Sequence, residues 1–388
     1  MSLRLGYVSQ YFTREYRGPV TNLLIELSKK VDVVNYSSKE RHAQYYSGGV
    51  HAMDSEKIGD HLSLRRYEVG LKLSGVLFPK NLTPLISQDK LDIIQSEEYY
   101  QPASHIAFKH ARKNGIPFIF NHRGSEERKR TLKERVFFTM ANPMSRGLVE
   151  GSDAIVCISE AGKKALCVVF PKAQDKVHVI PNSIDPLLFD GANGRSFRYE
   201  YRIPEASPLL LCVARLHFQK RIDLLIRTFA EVKKQSPDSV LCVVGPWFDE
   251  EKRKVDSLIS KLRVDDVVFT GPIPNDNVKD AYAAADVVAM TSEYEPFGYC
   301  LLEAMCLSKP VVAFNIGAVP EIIEDGVSGY HIPFADTKGL GMKISTLLND
   351  KKLSKKMGKE GLRRVNEKFS LSDNSKRLIK LYERMVKR

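Results

Sequence analysis

The chain has 388 residues, of which 43% are hydrophobic and 27% charged, and its formal net charge is +12. That is the composition of a soluble globular protein long enough for two ordinary domain cores. It excludes a spanning helix, since no apolar run approaches the roughly 20 residues a bilayer requires, and no paired zinc ligands or aromatic ribonucleoprotein motif marks a nucleic-acid partner.

The opening Met-Ser-Leu-Arg-Leu-Gly-Tyr-Val reads as a strand rather than a signal peptide. Residues 3–9 form that strand, and a loop at 10–20 carries Gly18-Pro19 ahead of a helix at 20–29. One glycine there fits a phosphate-binding turn and a plain strand-to-helix turn equally well. A strand at 31–36 follows. Residues 38–85 are rich in tyrosine and basic side chains, hold a helix-like patch at 58–73, and could face an acceptor. Strands at 91–95 and 115–121 bracket a helix at 101–114, and the second strand runs into His122-Arg123-Gly124. A histidine at the carboxyl end of a parallel strand is placed to touch a ligand. The segment 126–138, basic and then Val136-Phe137-Phe138, fits a helix lying on an anionic membrane and equally a domain helix with a polar outer face. A strand at 153–159, a helix and a strand at 177–185 close the first half.

After a linker at 184–190 come a strand at 208–215, a helix at 222–235, a strand at 240–245, a helix at 249–262, a strand at 267–272 and a helix at 275–285. Strands at 286–290 and 310–314 follow, then a polar helical tail over 336–388. This alternation predicts an α/β protein of two doubly wound Rossmann-like domains facing across a cleft, spanning 1–185 and 186–369, with a helix at 370–388 packing back on the first. The cleft is then the expected active site. The excess positive charge is uneven: residues 351–388 hold 14 Lys and Arg against four Asp and Glu, and 123–135 is a second dense run. Such stretches fit a solvated face or an anionic membrane surface. Cys157, Cys167, Cys212, Cys242, Cys300 and Cys306 lie mostly in apolar segments without Cys-x-x-Cys spacing, as reduced packing residues of a cytosolic protein would.

The most informative stretch is 291–305, Thr-Ser-Glu-Tyr-Glu-Pro-Phe-Gly-Tyr-Cys-Leu-Leu-Glu-Ala-Met. Buried strands flank it, so it must turn at Pro296 to Gly298 and run on as a short helix. Its loop then lies at the carboxyl end of a parallel sheet, where ligands bind, and the first helical N–H groups can hold a phosphate. Glu295 on the loop and Glu303 about one turn into the helix can each accept hydrogen bonds from vicinal hydroxyls, one from a ribose and the other from a sugar. Arg215 at the end of one strand and Lys220 five residues on supply a planar fork and a mobile point charge, a pairing suited to a diphosphate.

These residues carry a resemblance. VARLHFQKRIDLLI at 213–226, VIPNSID at 179–185, VVGPWFDEE at 243–251, VVFTGPIPNDNVKDAYAAADV at 267–287, EPFGYCLLEAM at 295–305 and PVVAFNIGAVPEIIEDGVSGYHI at 310–332 resemble, in order, the retaining glycosyltransferases of family 4, which adopt the GT-B fold. The first half matches only through Gly18, His122 and ISEAGKKAL at 158–166. The resemblance implies that Arg215 and Lys220 hold the donor diphosphate and that Glu303 binds the nucleotide ribose. It gives the donor sugar to Glu295 with the backbone at Phe297 and Gly298. It sets His122 near the sugar's reacting end and packs Gly18 close to the diphosphate. Pro272, Ile273, Tyr299 and Leu301 complete the donor-binding set. The chain departs from the pattern at Arg17-Gly18-Pro19, where the family has a double glycine, and at Ala214 and Arg221, where it has glycines.

The implied reaction moves a hexose from a UDP- or GDP-sugar to an acceptor hydroxyl with retention, the leaving phosphate oxygen taking the acceptor proton. No cofactor and no metal are expected, since no Asp-x-Asp stands at a strand end in the matched region. The basic helices suggest a lipid-linked or cell-envelope glycan as acceptor and a cytoplasmic protein peripheral on an anionic membrane. A sugar-nucleotide epimerase of the same fold and a non-catalytic nucleotide-sugar-binding protein are the alternatives. A nicotinamide enzyme is disfavoured, because no Gly-x-Gly-x-x-Gly follows any strand.

Overall fold

The computed structural model describes residues 2–12, 18–40, 51, 53–73, 76–124 and 132–387, with backbone alone at 132–134. The chain divides into two units: Met1–Ser183 with Leu371–Arg388, and Ile184–Ser370.

The first unit is built on strands β1 (Arg4–Val8), β2 (Asp32–Ser38), β3 (Ser55–Ile58), β4 (Leu62–Tyr67), β5 (Val69–Leu73), β6 (Val76–Pro79), β7 (Ile93–Glu97), β8 (Phe118–His122), β9 (Ala154–Cys157) and β10 (Val177–Val179). Eight of them form one sheet in the order β10-β9-β8-β7-β1-β2-β4-β3, and β5-β6 is a separate hairpin. Within the sheet only β3 runs antiparallel. Parallel strands covered on both faces read as continuous apolar runs. Phe118–His122 is buried throughout, with Phe118 and Phe120 facing one core and Ile119 the other. The helix Leu371–Val386 belongs to this unit. Its stripe of Leu378, Leu381, Tyr382 and Met385 enters the second of those cores, and the Tyr382 hydroxyl donates to Gln95 Oε1 at 2.6 Å.

The helix-like patch expected at 58–73 is instead β4 and β5. Leu62 and Leu64 are buried and alternate with half-buried Ser63 and Arg65, a period of two that pairs with β2. The segment 126–138 falls partly among the described residues. Residues 125–131 lie outside those described, and the helix Leu132–Gly151 turns Phe138 inward, with Phe137 half-buried beside it. Their rings sit 5.2 and 6.1 Å from Tyr100. No described helix is long and apolar enough to cross a membrane.

A polar hub ties β1, β2 and β4 together. Asp89 accepts two bonds from Arg65 at 2.6 and 2.9 Å, one from Arg4 at 2.8 Å and one from the Tyr36 hydroxyl at 2.7 Å. Burial alone would raise the Asp89 pKa, but Arg65, Tyr36 and Arg4 outweigh it and hold the carboxyl below the ordinary value.

The second unit has six parallel strands: β11 (Leu209–Val213), β12 (Val240–Val244), β13 (Val267–Gly271), β14 (Val287–Met290), β15 (Val311–Phe314) and β16 (Gly329–Ile332). Their order is β13-β12-β11-β14-β15-β16, the doubly wound arrangement whose direction reverses between β11 and β14. Helices Ile222–Lys233 and Thr337–Asn349 pack on one face, their Leu225, Phe229, Leu340 and Ile344 meeting Leu210, Val243, Val287 and Val312 of the strands.

A carboxylate with a depressed folded pKa stabilises the fold above its unfolded pKa and loses that contribution as pH falls through the folded value. Asp89→Asn is therefore expected to destabilise the first unit by about 2–3 kcal/mol at neutral pH. The deficit should shrink as pH is lowered below about 4, which urea titrations at pH 3 and pH 7 would measure.

Candidate active site

The reversal between β11 and β14 sets the loops that follow them, residues 214–221 and 291–298, at the place where open α/β sheets hold ligands. The two loops are laced together: the Glu293 N–H donates to the Gln219 carbonyl at 2.8 Å, and the Thr291 hydroxyl to the Lys220 carbonyl at 3.1 Å. Lys220 ends a short turn, Phe218–Lys220, and its ammonium lies 2.7 Å from Glu295 Oε2. Burial opposes the lysine's charge, yet Glu295 outweighs that and lifts its pKa above the ordinary value, so it stays cationic. Glu295 also accepts the Gly298 N–H on Oε1 at 3.2 Å and faces the Ser292 hydroxyl at 3.4 Å. Gly298 has φ of 93°, a left-handed conformation that favours glycine, and caps the helix Tyr299–Cys306.

Arg215 stands two residues beyond β11, half-buried, and its charge is felt at Lys220. Among the described residues no carboxylate pairs with it. Of the three cations in this loop, Lys220 pairs with Glu295 and Arg221 with Asp223 and Glu293, and Arg215 is left to meet an anion. Glu303, on the helix, accepts the Tyr282 hydroxyl on Oε2 at 2.5 Å. Burial pushes its pKa up to about 7, and the tyrosine bond pulls the other way.

The remaining expected donor residues fall in three places. Phe297 is 4% exposed and packs edge-on against Phe369 at 5.9 Å, so its ring belongs to the core. Tyr299 is half-buried at the helix start, whereas Leu301 is fully buried and its N–H donates to the Gly298 carbonyl at 3.0 Å, which packs the turn. Pro272 and Ile273 follow the edge strand β13, with β12 between them and the lysine loop. Arg221, where the resemblance has glycine, adopts φ 47° and ψ 50°, a left-handed backbone that explains the glycine. Its guanidinium is tied to Asp223 at 2.8 and 2.9 Å and to Glu293 at 3.4 Å. Among the described residues no group of three or more His, Cys, Asp or Glu is arranged to hold a metal ion.

Gly18 and His122 belong to the first unit. Gly18 precedes Pro19 at the start of the helix Pro19–Ser28 with an ordinary extended φ of −73°, and Arg17 lies outside the described residues. His122 ends β8, fully buried, with Nδ1 3.3 Å from Glu98 Oε2. Here the structure adds residues the sequence did not mark. Glu98 also accepts the Arg123 N–H at 3.0 Å and sits at φ 57°, while Glu97 accepts the Arg123 guanidinium at 2.5 Å and the Tyr7 hydroxyl at 2.8 Å. Burial opposes the Arg123 charge, but Glu97, Tyr7 and Glu98 overcome it and hold the guanidinium above its ordinary value. The readable signal was Ser96-Glu97-Glu98, two acids where the buried strand β7 runs out at its carboxyl end.

Residues 195–364 match the family Glycosyl transferases group 1, and residues 20–187 match Glycosyltransferase Family 4. Both matching families are families of glycosyltransferases. The chain is 30% identical over 234 residues to an uncharacterised glycosyltransferase of Methanocaldococcus jannaschii, covering 59% of either protein. It is 28% identical over 243 residues to N-acetyl-alpha-D-glucosaminyl L-malate synthase of Bacillus anthracis, covering 62% of this chain and 61% of that one. The chain thus spans 59% and 61% of the length of these curated relatives. Among solved structures, HepE of Anabaena in complex with UDP superposes with a TM-score of 0.78 at 17% identity, covering 98% of this chain and 100% of that one. That is a likeness of fold, and the fold is the GT-B type: two Rossmann-like domains with parallel sheets.

The left-handed backbone at residue 221 gives a clean comparison. Arg221→Ala and Arg221→Gly both lose the ion pairs, but only glycine relieves the backbone, so the glycine variant should be the more stable of the two by about 1 kcal/mol in urea titration.

Proposed function

We propose that this glycosyltransferase-type chain transfers a hexose from a nucleoside diphosphate sugar to an acceptor hydroxyl with retention of configuration. The observation that carries the reading is the Lys220–Glu295 pair, with Arg215 beside it, at the strand-order reversal of the second unit. Lys220 and Arg215 neutralise the departing diphosphate as the bond from the sugar's anomeric carbon to the phosphate oxygen breaks. The acceptor oxygen forms its bond to that carbon, and its proton passes to the leaving phosphate oxygen on the same face. Glu295, with the backbone at Phe297 and Gly298, holds the sugar hydroxyls. Glu303 holds the ribose, while Tyr299, Leu301, Pro272 and Ile273 shape the rest of the donor site. The resemblance assigns His122 to the sugar and Gly18 to the diphosphate. No cofactor takes part and no metal is required.

The acceptor we infer is a lipid-linked or cell-envelope glycan, met at an anionic membrane. The supporting feature is the helix Leu132–Gly151, which leaves Val136, Met140 and Met144 exposed by 55%, 65% and 75% at spacings of four, with exposed Arg135 and Arg146 beside them. An apolar helical stripe flanked by cations is the pattern of an interfacial helix. The Bacillus anthracis relative, whose name includes L-malate, supports a second reading in which the acceptor is a small carboxylate.

Lys220→Ala is expected to lower turnover about 10²–10³-fold, while EDTA leaves turnover unchanged, as measured by nucleoside diphosphate release with and without acceptor. Full activity in that variant, or release of no nucleotide on transfer, contradicts the reading. Co-sedimentation with anionic phospholipid vesicles should be lost in Val136→Glu/Met140→Glu. Absence of wild-type binding at both low and high salt favours the small soluble acceptor.

A further inference from the structure

Glu303 is a half-buried carboxylate held by a tyrosine. It projects from the helix Tyr299–Cys306, and its partner comes from another element, the helix Val278–Ala284, whose Tyr282 is fully buried. The phenol donates to Oε2 at 2.5 Å, and among the described residues no donor reaches Oε1 and no cation pairs with the group. Lys220 is committed to Glu295. The other titratable groups facing Glu303 are Cys300 and Cys306 of its own helix. Cys300 is in turn influenced by Lys220, Glu295 and Cys212, and Cys306 by Asp185. Burial pushes both thiols up, so they remain neutral. Among the described residues, Tyr282 is the one hydrogen-bond partner that orients the carboxylate. A buried tyrosine needs a hydrogen-bond acceptor, and here it has one that leaves the second carboxylate oxygen open.

We infer that Tyr282 is a positioning residue for the donor: it fixes Glu303 Oε2 so that Oε1 is presented to the ribose hydroxyls of the nucleotide. This rests on the reading of Glu303 as the ribose ligand. Two carboxylate oxygens then have separate duties, one to the protein and one to the substrate. The phenol never touches the donor, so its effect passes only through Glu303. The pair also sets a pH dependence. Burial raises the Glu303 carboxyl to about 7 and the phenol restrains that rise. Ribose binding is therefore strongest above neutrality, weakens as the carboxylate takes up a proton, and shifts to higher pH when the phenol is removed.

The test uses the full chain with UDP, GDP and their 2′,3′-dideoxy counterparts, binding being measured by calorimetry from pH 6 to pH 9. Tyr282→Phe should weaken the ribonucleotide about tenfold, leave the dideoxy nucleotide unchanged and move the pH midpoint upward. Glu303→Gln should abolish the pH dependence, and Tyr282→Phe added to it should cost nothing further. Equal losses for ribo- and dideoxynucleotide would show that Tyr282 only supports packing, and unchanged ribonucleotide affinity would show that it does not position Glu303; either result overturns the inference. If the wild-type chain binds neither UDP nor GDP, the donor reading itself fails and this inference falls with it. If it binds ribo- and dideoxynucleotide equally, only the ribose role of Glu303 and its tyrosine are overturned.

Discussion

The ion pair between Lys220 and Glu295 joins the two loops on which the second unit's chemistry depends. Its side chains are 25% and 12% exposed, so both charges have given up most of their water. A pair so placed returns little net stability, because desolvation offsets the attraction, yet removing one partner strands the other. Its significance is positional. It holds a cation and a carboxylate in fixed geometry at the reversal of strand order, where a substrate can take over as partner to each.

The backbone around the pair is as constrained as the side chains. Gly298 turns the chain through a left-handed conformation into its helix, and its N–H donates to Glu295. Gly245, after β12, has φ 140°, and a Cβ there would lie 2.3 Å from the Ala214 carbonyl oxygen, so this glycine lets the Arg215 loop lie flat on its neighbour. Arg221 tolerates a conformation that glycine would adopt more cheaply, and two carboxylates hold its side chain. The loop shape therefore survives the loss of the family's glycine, because ion pairs substitute for conformational freedom.

The sequence revealed the second unit better than the first, for a physical reason. Strands buried on both faces, such as Leu209–Val213 and Val240–Val244, read as unbroken apolar runs, and Pro296-Phe297-Gly298 between two of them forces a turn. The edge strand Gly329–Ile332 carries no such run, since Tyr330 and His331 are only half-buried, and it passed unnoticed. In the first unit, Leu62–Tyr67 alternates apolar and polar residues over too short a length to be told from an amphipathic helix. It is the pairing with β2 and the anchoring of Arg65 on Asp89 that decide it. Glu97 and Glu98 were legible as letters but not as a site, because their partners Tyr7, His122 and Arg123 are brought in by strand neighbours about 90 and 25 residues away. The same holds for Tyr282, 21 residues from Glu303. Periodicity and turn chemistry report local structure, whereas pairing across a sheet or between helices depends on topology.

The central claim is that the loops at 214–221 and 291–298 grip the pyrophosphate of an activated sugar. The most direct measurement is a crystal structure of the chain soaked with a UDP-sugar. The account predicts pyrophosphate density within hydrogen-bond reach of the Lys220 ammonium and the Arg215 guanidinium, with the sugar against Glu295. Pyrophosphate density on any other loop of the second unit, with the Lys220–Glu295 pair undisturbed, would contradict it.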